Sequence, residues 1–363
     1  MKVIFFSTYY SEYLKSFYFK NRGLENESYS TQMSFLKLDY FGGWLSYVEY
    51  FSKLGVNAQM IIPNCRPLQL AWAKENSIKF DENNWLYSIP IAQVKKEKPD
   101  VFYLSSTFEY YGWFLDEIRK YARRIFGWIS CEIPKGTKAD QLDLVLSSVP
   151  YYVDDFRNDG LVAEYLNAAF DSNILKLIET DTAKDIDFSF IGNLTKAHGN
   201  RIKLVKTLVE KTPLQIFGTG IKAIPDNRNF LKRLLVNSLY QERFMGTTWG
   251  LDMYRVLQRS KITFNAHIDI SKGYIGNMRM FEATGAGTLL LTDGKKAPVK
   301  MFSDDEVVYY DSVEDAIEKF NYYFTHQKER EAIAKKGQIR TLSEYNYYNV
   351  CEKLHNYFLK YLD

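Results

Sequence analysis

Gly276-Asn-Met-Arg-Met-Phe-Glu-Ala-Thr-Gly-Ala-Gly287 runs directly into Thr288-Leu-Leu-Leu-Thr-Asp293. The first piece predicts a short helix from Asn277 to Thr284 that ends in small residues. The second predicts a buried strand, Thr288 to Leu291. On both sides of this stretch the same alternation of helical pattern and short apolar run recurs, as a parallel sheet with helical crossovers requires. On the C-terminal side a short strand near Val307 to Tyr310 follows, and helices fill Val313 to the end. On the N-terminal side stand strands at Asp187 to Ile191, Leu214 to Phe217 and Ile262 to Asn265. Helices at Arg201 to Lys211 and Asp252 to Arg259 separate them.

Further back the scheme occurs once more. Strands are predicted at Val3 to Ser7, Ala58 to Ile62, Val101 to Leu104, Ile125 to Ser130, Leu142 to Ser147 and Val162 to Tyr165. Helical segments are predicted around 31–54, 66–75, 85–97, 109–122 and 151–158. Six strands with intervening helices make one complete Rossmann-like domain, so the second half is a restart of the same α/β architecture. Asn167 to Lys184 contains no convincing strand and is the predicted linker. This gives a domain at 1–168, a second at 169–344, and a terminal helical segment at 345–363 with apolar and aromatic residues at helical spacing.

The bulk numbers agree with two domains. A chain of 363 residues is longer than one ordinary hydrophobic core supports. With 46% hydrophobic and 25% charged residues it has globular composition, which excludes disordered and fibrous classes. The 47 Lys and Arg against 44 Asp and Glu leave +3, too weak a field to argue for nucleic acid as a partner. The 28 Tyr and 25 Phe are abundant. Such rings can stack on sugars and bases, but most of them belong to packing. Cys65, Cys131 and Cys351 share no metal-ligand spacing and are odd in number, which argues against a disulfide framework or a zinc site. Val3 to Phe6 is too short an apolar run for a signal peptide, and no run reaches 18 apolar residues, so a cytoplasmic protein is expected.

Chemistry concentrates in the opening stretch. Arg279 and Glu282 stand three apart and so share a helix face. Arg can neutralise a diphosphate with a two-pronged hydrogen bond, and a carboxylate can accept from both hydroxyls of a ribose. The helix N-terminus adds backbone N–H donors for phosphate. The same spacing also makes an i, i+3 salt bridge on a buried helix. Asn265-Ala-His267-Ile-Asp269 follows a strand, where a parallel sheet presents its ligand groups, so His267 could donate to a phosphate or a sugar hydroxyl. Gly218-Thr-Gly220 also follows a strand and could approach a ligand with its backbone, although a plain turn would read the same. Asp185-Ile-Asp187 precedes its strand and reads as linker instead of a metal-binding pair.

These pieces resemble the donor-site signature of the CgeB/YkvP-like glycosyltransferases, relatives of the large GT-B family 4 group. Further matching pieces are Phe188-Ser-Phe-Ile-Gly-Asn193 before a helix containing Arg201, Leu257 to His267, and Glu329 to Gly337. In the first half Ser7 to Phe17 and Asn64 to Trp72 match more loosely. The resemblance implies a GT-B fold: two Rossmann-like domains with parallel sheets facing across a cleft, and a terminal helix that crosses back to the first domain. It implies transfer of a sugar from a nucleotide diphosphate sugar to a hydroxyl acceptor, in bacterial surface glycan assembly. Arg279 would face the diphosphate and Glu282 the ribose. Gly192 and Asn193 would form a tight turn beside the phosphates, and Asn277, Thr284 and Gly285 would line the same pocket. Lys196 would assist Arg279, and neither cofactor nor metal ion is expected. Where retaining GT-B enzymes often place a second Glu, eight positions before the ribose Glu, this chain has Tyr274.

An inverting transferase needs a base for the acceptor hydroxyl. Glu132, just past a strand, is the first candidate, with Glu109 and Asp39 behind it. Ser106-Thr-Phe-Glu109 is equally a capping box. The acceptor would be a glycan or a lipid-linked glycan, and the latter would bring the protein to the inner face of a membrane. Two other enzymes share the double Rossmann plan or part of it. A sugar-nucleotide epimerase would need no acceptor, and an NAD-dependent oxidoreductase is disfavoured because Ser7-Thr-Tyr-Tyr10 stands where G-x-G-x-x-G would follow the first strand. A non-catalytic sugar- or nucleotide-binding assembly protein is the third alternative.

Overall fold

The computed structural model describes residues 1–105, 107–178, 183–194, 199–220, 238–267, 274–294, 297 and 300–362. The chain divides into two compact units, Met1–Asn167 with Tyr347–Asp363, and Ala168–Asn346.

In the first unit the order is β1 (Lys2–Phe6), α1 (Ser11–Lys20), α2 (Tyr29–Leu38), α3 (Trp44–Lys53), β2 (Asn57–Ile61), α4 (Arg66–Glu75) and α5 (Trp85–Glu97). Then follow β3 (Val101–Leu104), α6 (Trp113–Ile118), β4 (Arg124–Trp128), β5 (Leu144–Ser147), α7 (Pro150–Asn158) and β6 (Ala163–Tyr165). The strands form one parallel sheet in the order β2-β1-β3-β4-β5-β6. β1, β3 and β5 are apolar and covered on both faces, which is why they read as continuous hydrophobic runs.

The last helix, α13 (Tyr347–Leu362), belongs to this unit. It buries Tyr347, Val350, Cys351, Leu354 and Phe358, an i, i+3, i+4, i+7, i+11 stripe. Phe358 sits 5.5 Å from Phe51, 5.5 Å from Tyr103 and 5.2 Å from Phe126, ring centre to ring centre. Lys360 closes the far end with a 2.9 Å ion pair to Glu164.

The second unit contains β7 (Ile186–Ile191), α8 (Gly199–Lys211), β8 (Gln215–Phe217), β9 (Phe244–Gly246), α9 (Gly250–Arg259) and β10 (Ser260–Asn265). It continues with α10 (Met278–Gly285), β11 (Leu289–Thr292), β12 (Val308–Tyr309), α11 (Val313–Thr325) and α12 (Gln327–Glu344). Its parallel sheet has the order β12-β11-β10-β7-β8-β9. Phe188, Phe264, Tyr310 and Phe320 stack through its core.

Three local differences from the sequence reading have plain causes. The predicted helix 31–54 is two helices, because Tyr40, Gly42 and Gly43 are all left-handed and break the hydrogen-bonded ladder between them. Helix α1, Ser11–Lys20, is so dense in aromatics that its helical period is hidden in the sequence. Strand β9 is a three-residue edge strand without a buried face, so it has no pattern to read.

Asp185 and Asp187, read as linker, flank the first residue of β7 and are tied to the end of α9 and the start of β10. Asp185 pairs with Arg259 and Asp187 with Lys261 at 2.6 Å.

One close approach sets the geometry at the end of the second sheet. A Cβ on Gly218 would stand 1.8 Å from the Gly192 carbonyl oxygen. Backbone cannot yield as a flexible side chain does, so Gly218→Ala should lower stability by about 1–3 kcal/mol through overpacking. A fallen urea midpoint with unchanged slope is the expected reading, and an unchanged midpoint would show that the two loops are free to part.

Candidate donor site

The second sheet changes direction at β7. From there the chain moves to β8 on one side and later to β10 on the other, so the ends of β7 and β10 flank the switch point. Open parallel sheets bind their ligands there.

The β7 and β8 ends are braced against one another. The Gly192 amide donates to the Phe217 carbonyl at 3.0 Å, and the Leu194 amide donates to Thr219 at 2.9 Å. The Thr219 hydroxyl donates to the Asn193 side-chain oxygen at 2.8 Å. Gly218 and Asn193, both candidates for donor contact, therefore also hold the turn in shape. Lys196 lies outside the described residues. Arg201, on the first turn of α8, donates to the Ala266 carbonyl at 2.8 Å and ties that helix to the end of β10.

At the β10 end His267 is only 6% exposed. Its Nδ1 lies 2.6 Å from an Asp293 carboxylate oxygen, and its backbone N–H donates to the same carboxylate at 2.9 and 3.1 Å. Its Nε2 accepts from the amides of Gly276 at 3.1 Å and Asn277 at 3.4 Å. With Nε2 accepting, the proton of the ring sits on Nδ1, facing Asp293. Both nitrogens are engaged, so in this arrangement His267 holds backbone. Asn265 and Asn277 exchange a reciprocal pair of amide hydrogen bonds at 3.0 and 3.1 Å, and Asn265 also donates to Thr292 at 3.0 Å. Asp269 lies outside the described residues, and Tyr274 is half-buried.

Helix α10 starts at this point. Asn277 is its N-cap in extended geometry and makes no side-chain cap, because its amide group is committed to Asn265. At the other end Gly287 is left-handed and the Thr288 amide donates back to Ala283 at 3.1 Å, which turns the chain straight into β11.

Arg279 and Glu282 form an ion pair of 2.9 Å with side chains 15% and 9% exposed. The Arg279 Nη1 also points at the Met253 sulfur, 3.3 Å away on α9. Its Nε is buried and meets no acceptor among the described residues. Tyr254, one residue on from Met253, is fully buried beside this pair. Burial pushes its hydroxyl pKa well above the ordinary value, the Glu282 carboxylate raises it further and Arg279 opposes.

Thr284 and Gly285, expected to line the pocket, both make packing contacts. The Thr284 hydroxyl donates to the Met280 carbonyl at 2.6 Å and meets the Thr341 hydroxyl on α12, also at 2.6 Å. A methyl on Gly285 would overlap the Phe170 ring at 2.3 Å. The helical rotation turns Thr284 away from the face that Arg279 and Glu282 share, whereas Gly285, three residues past Glu282, lies next to it.

In the first unit Glu132 is exposed, four residues past the end of β4. Glu109 is exposed on a single 3₁₀ turn, Phe108–Tyr110, and Ser106 lies outside the described residues. Asp39 is the half-buried C-cap of α2 and bears on Tyr13, whose pKa burial raises and Asp39 raises further. It immediately precedes the left-handed run of Tyr40, Gly42 and Gly43, a signal that Asp-Tyr-Phe-Gly-Gly carries in the sequence.

Residues 201–356 match the family described as glycosyl transferase-like. Sucrose-phosphate synthase from Thermosynechococcus elongatus superposes with a TM-score of 0.57 at 8% identity, covering 99% of this chain and 98% of that one. A glycosyltransferase from Rickettsia africae gives 0.59 at 12%, covering 100% and 98%. HepE of Anabaena, solved in complex with UDP-glucose, gives 0.56 at 11%, covering 99% and 100%. The fold is GT-B. No curated protein matches the chain in sequence. In GT-B terms the second unit is the one that the glycosyl transferase-like match overlaps for most of its length.

A double-mutant cycle tests the buried pair. Arg279→Met should cost about 3–5 kcal/mol, because it leaves the Glu282 carboxylate buried without its charge partner. Arg279→Met combined with Glu282→Leu should recover most of that loss in urea unfolding. Strictly additive losses would show that the two side chains are not coupled.

Proposed function

We propose that this chain is a glycosyltransferase that moves a sugar from a nucleoside diphosphate sugar to a hydroxyl acceptor. The observation that carries this reading is the Arg279–Glu282 pair at the switch-point edge, with a buried Nε–H that has no acceptor among the described residues. A buried donor left unpaired costs free energy, and an anionic ligand would remove that cost. In this reading Arg279 neutralises the diphosphate, while Glu282 accepts from the ribose hydroxyls. In this reading the Gly192–Asn193 turn lies beside the phosphates, and the start of α10 presents backbone N–H groups to them.

The acceptor oxygen attacks the anomeric carbon as the bond to the diphosphate breaks, and the nucleoside diphosphate leaves with the bonding pair. For an inverting reaction the acceptor proton goes to a base, for which Glu132 is the proposal. The charge on the leaving group is met by Arg279 and helix N–H groups, without a metal ion in this reading. In this reading the reaction serves bacterial surface glycan assembly, a setting that the family resemblance supports. A lipid-linked acceptor would bring the protein to a membrane surface. Among the described residues no helix is long and apolar enough to cross one.

A second reading, a nucleotide-binding protein without turnover, draws on Tyr274 standing where a carboxylate would serve a retaining enzyme. The two readings part on one experiment.

Thermal shift with UDP, GDP, dTDP, CMP and NAD comes first, since HepE is described with UDP-glucose, UDP and glucose. A nucleotide at a hundred times its dissociation constant should add about 2.7 kcal/mol of stability. Arg279→Lys keeps a charge beside Glu282 but loses the fork, and should weaken that nucleotide by about 1.5–3 kcal/mol. Wild-type affinity in Arg279→Lys removes Arg279 from the site, and a shift with NAD alone removes the transferase reading. Nucleotide binding with no donor cleavage, with or without a panel of glycan acceptors, favours the non-catalytic protein.

Given turnover, Glu132→Gln should lower kcat by about 10²–10⁴-fold with KM for the donor unchanged. An unaltered kcat assigns the base elsewhere.

A further inference from the structure

The end of β11 and the approach to α10 are joined by a chain of contacts that the proposed chemistry does not use. Asp293 follows the last residue of β11 and holds His267 twice, through Nδ1 at 2.6 Å and through the backbone N–H. His267 in turn holds the amides of Gly276 and Asn277 through Nε2. The next residue after Asp293 packs on the same segment, since a Cβ on Gly294 would stand 2.2 Å from Ile275. Asn265 adds the reciprocal amide pair with Asn277.

An imidazole can accept at Nε2 only if its single proton is on Nδ1, and a carboxylate 2.6 Å from Nδ1 is what keeps it there. Remove the carboxylate and the other tautomer becomes available, with an N–H at Nε2 facing two more N–H groups. Donor would then face donor, and the segment leading into α10 would lose its anchor. The first turn of α10 carries Arg279, and the next carries Glu282, so the anchor sets where both begin.

We propose that Asp293 is a positioning residue for the donor site: it fixes the tautomer of His267, and His267 fixes the residues that start the helix bearing Arg279 and Glu282. This rests on the donor-site reading above, which assigns Arg279 and Glu282 to the nucleotide. Asp293 itself touches no reacting atom.

The test uses the full chain. ¹⁵N NMR of histidine-labelled protein, with His267 assigned by its loss in His267→Gln, should show Nδ1 protonated and Nε2 bare in wild type. Asp293→Ala should move His267 toward the Nε2–H form and weaken UDP, measured by calorimetry, by about tenfold if the competent state falls to a tenth of the molecules. Asp293→Asn keeps an oxygen acceptor for Nδ1–H and should bind UDP within about threefold of wild type, a rescue that general loss of packing would not produce. His267→Gln can place an amide oxygen near the Nε2 position and should bind better than His267→Ala.

An Nε2–H tautomer in wild type overturns the inference, and so does wild-type UDP affinity in a folded Asp293→Ala. If wild type binds none of UDP, GDP, dTDP or CMP, the donor reading fails instead, and the clamp loses its proposed purpose even with the tautomer as stated.

Discussion

Parallel pairing of β7 with β10 is the constraint on which the second unit depends. Ile262, Thr263 and Phe264 stand opposite Phe188, Ser189 and Phe190. The apolar members go into the core. The hydroxyls are satisfied among themselves: Ser260 donates to Ser189 at 2.8 Å, and Ser189 shares a further 2.8 Å hydrogen bond with Thr263. A buried hydroxyl without a partner would cost more than the strand pair could spare, so these hydrogen bonds favour one register. On the other side of β10 the register puts Asn265 opposite Thr292, and their side chains are hydrogen-bonded for that reason. Because every paired strand is parallel, all the strand-to-helix loops emerge at one edge, which gathers Asn193, Gly218, His267, Asp293 and the start of α10.

That edge is held in shape by pairs of polar groups that satisfy each other. Asn265 faces Asn277, His267 faces Asp293, and Arg279 faces Glu282. Such mutual engagement keeps each side chain in one rotamer, and a site whose groups are already oriented loses less entropy when a ligand arrives. The buried Nε–H of Arg279 is the exception among these groups. It marks where the internal pairing stops short of complete.

In the first unit the aromatic residues settle into packing. Phe5, Phe51, Tyr103, Phe126 and Phe358 form one connected set between sheet and helices. Tyr13 lies stacked on Phe41 at 3.6 Å, next to the left-handed turn that follows Asp39. The abundance of Tyr and Phe thus serves the core first, since each ring buries a large area in few rotamers.

By itself the sequence determined the two α/β halves and most strand positions, because strands covered on both faces must be short continuous apolar runs, and such runs are visible one at a time. It also determined that Arg279 and Glu282 share a helix face, since three residues is nearly one turn. Tertiary structure decided the rest. His267 meets Asp293 from 26 residues away, a distance over which no local period carries information. Thr284 and Gly285 sit beside the signature residues in sequence, yet their direction follows from how α10 is rotated against α12 and Phe170. Side-chain contacts of that kind depend on the packing of whole elements, and packing is a property of the folded chain.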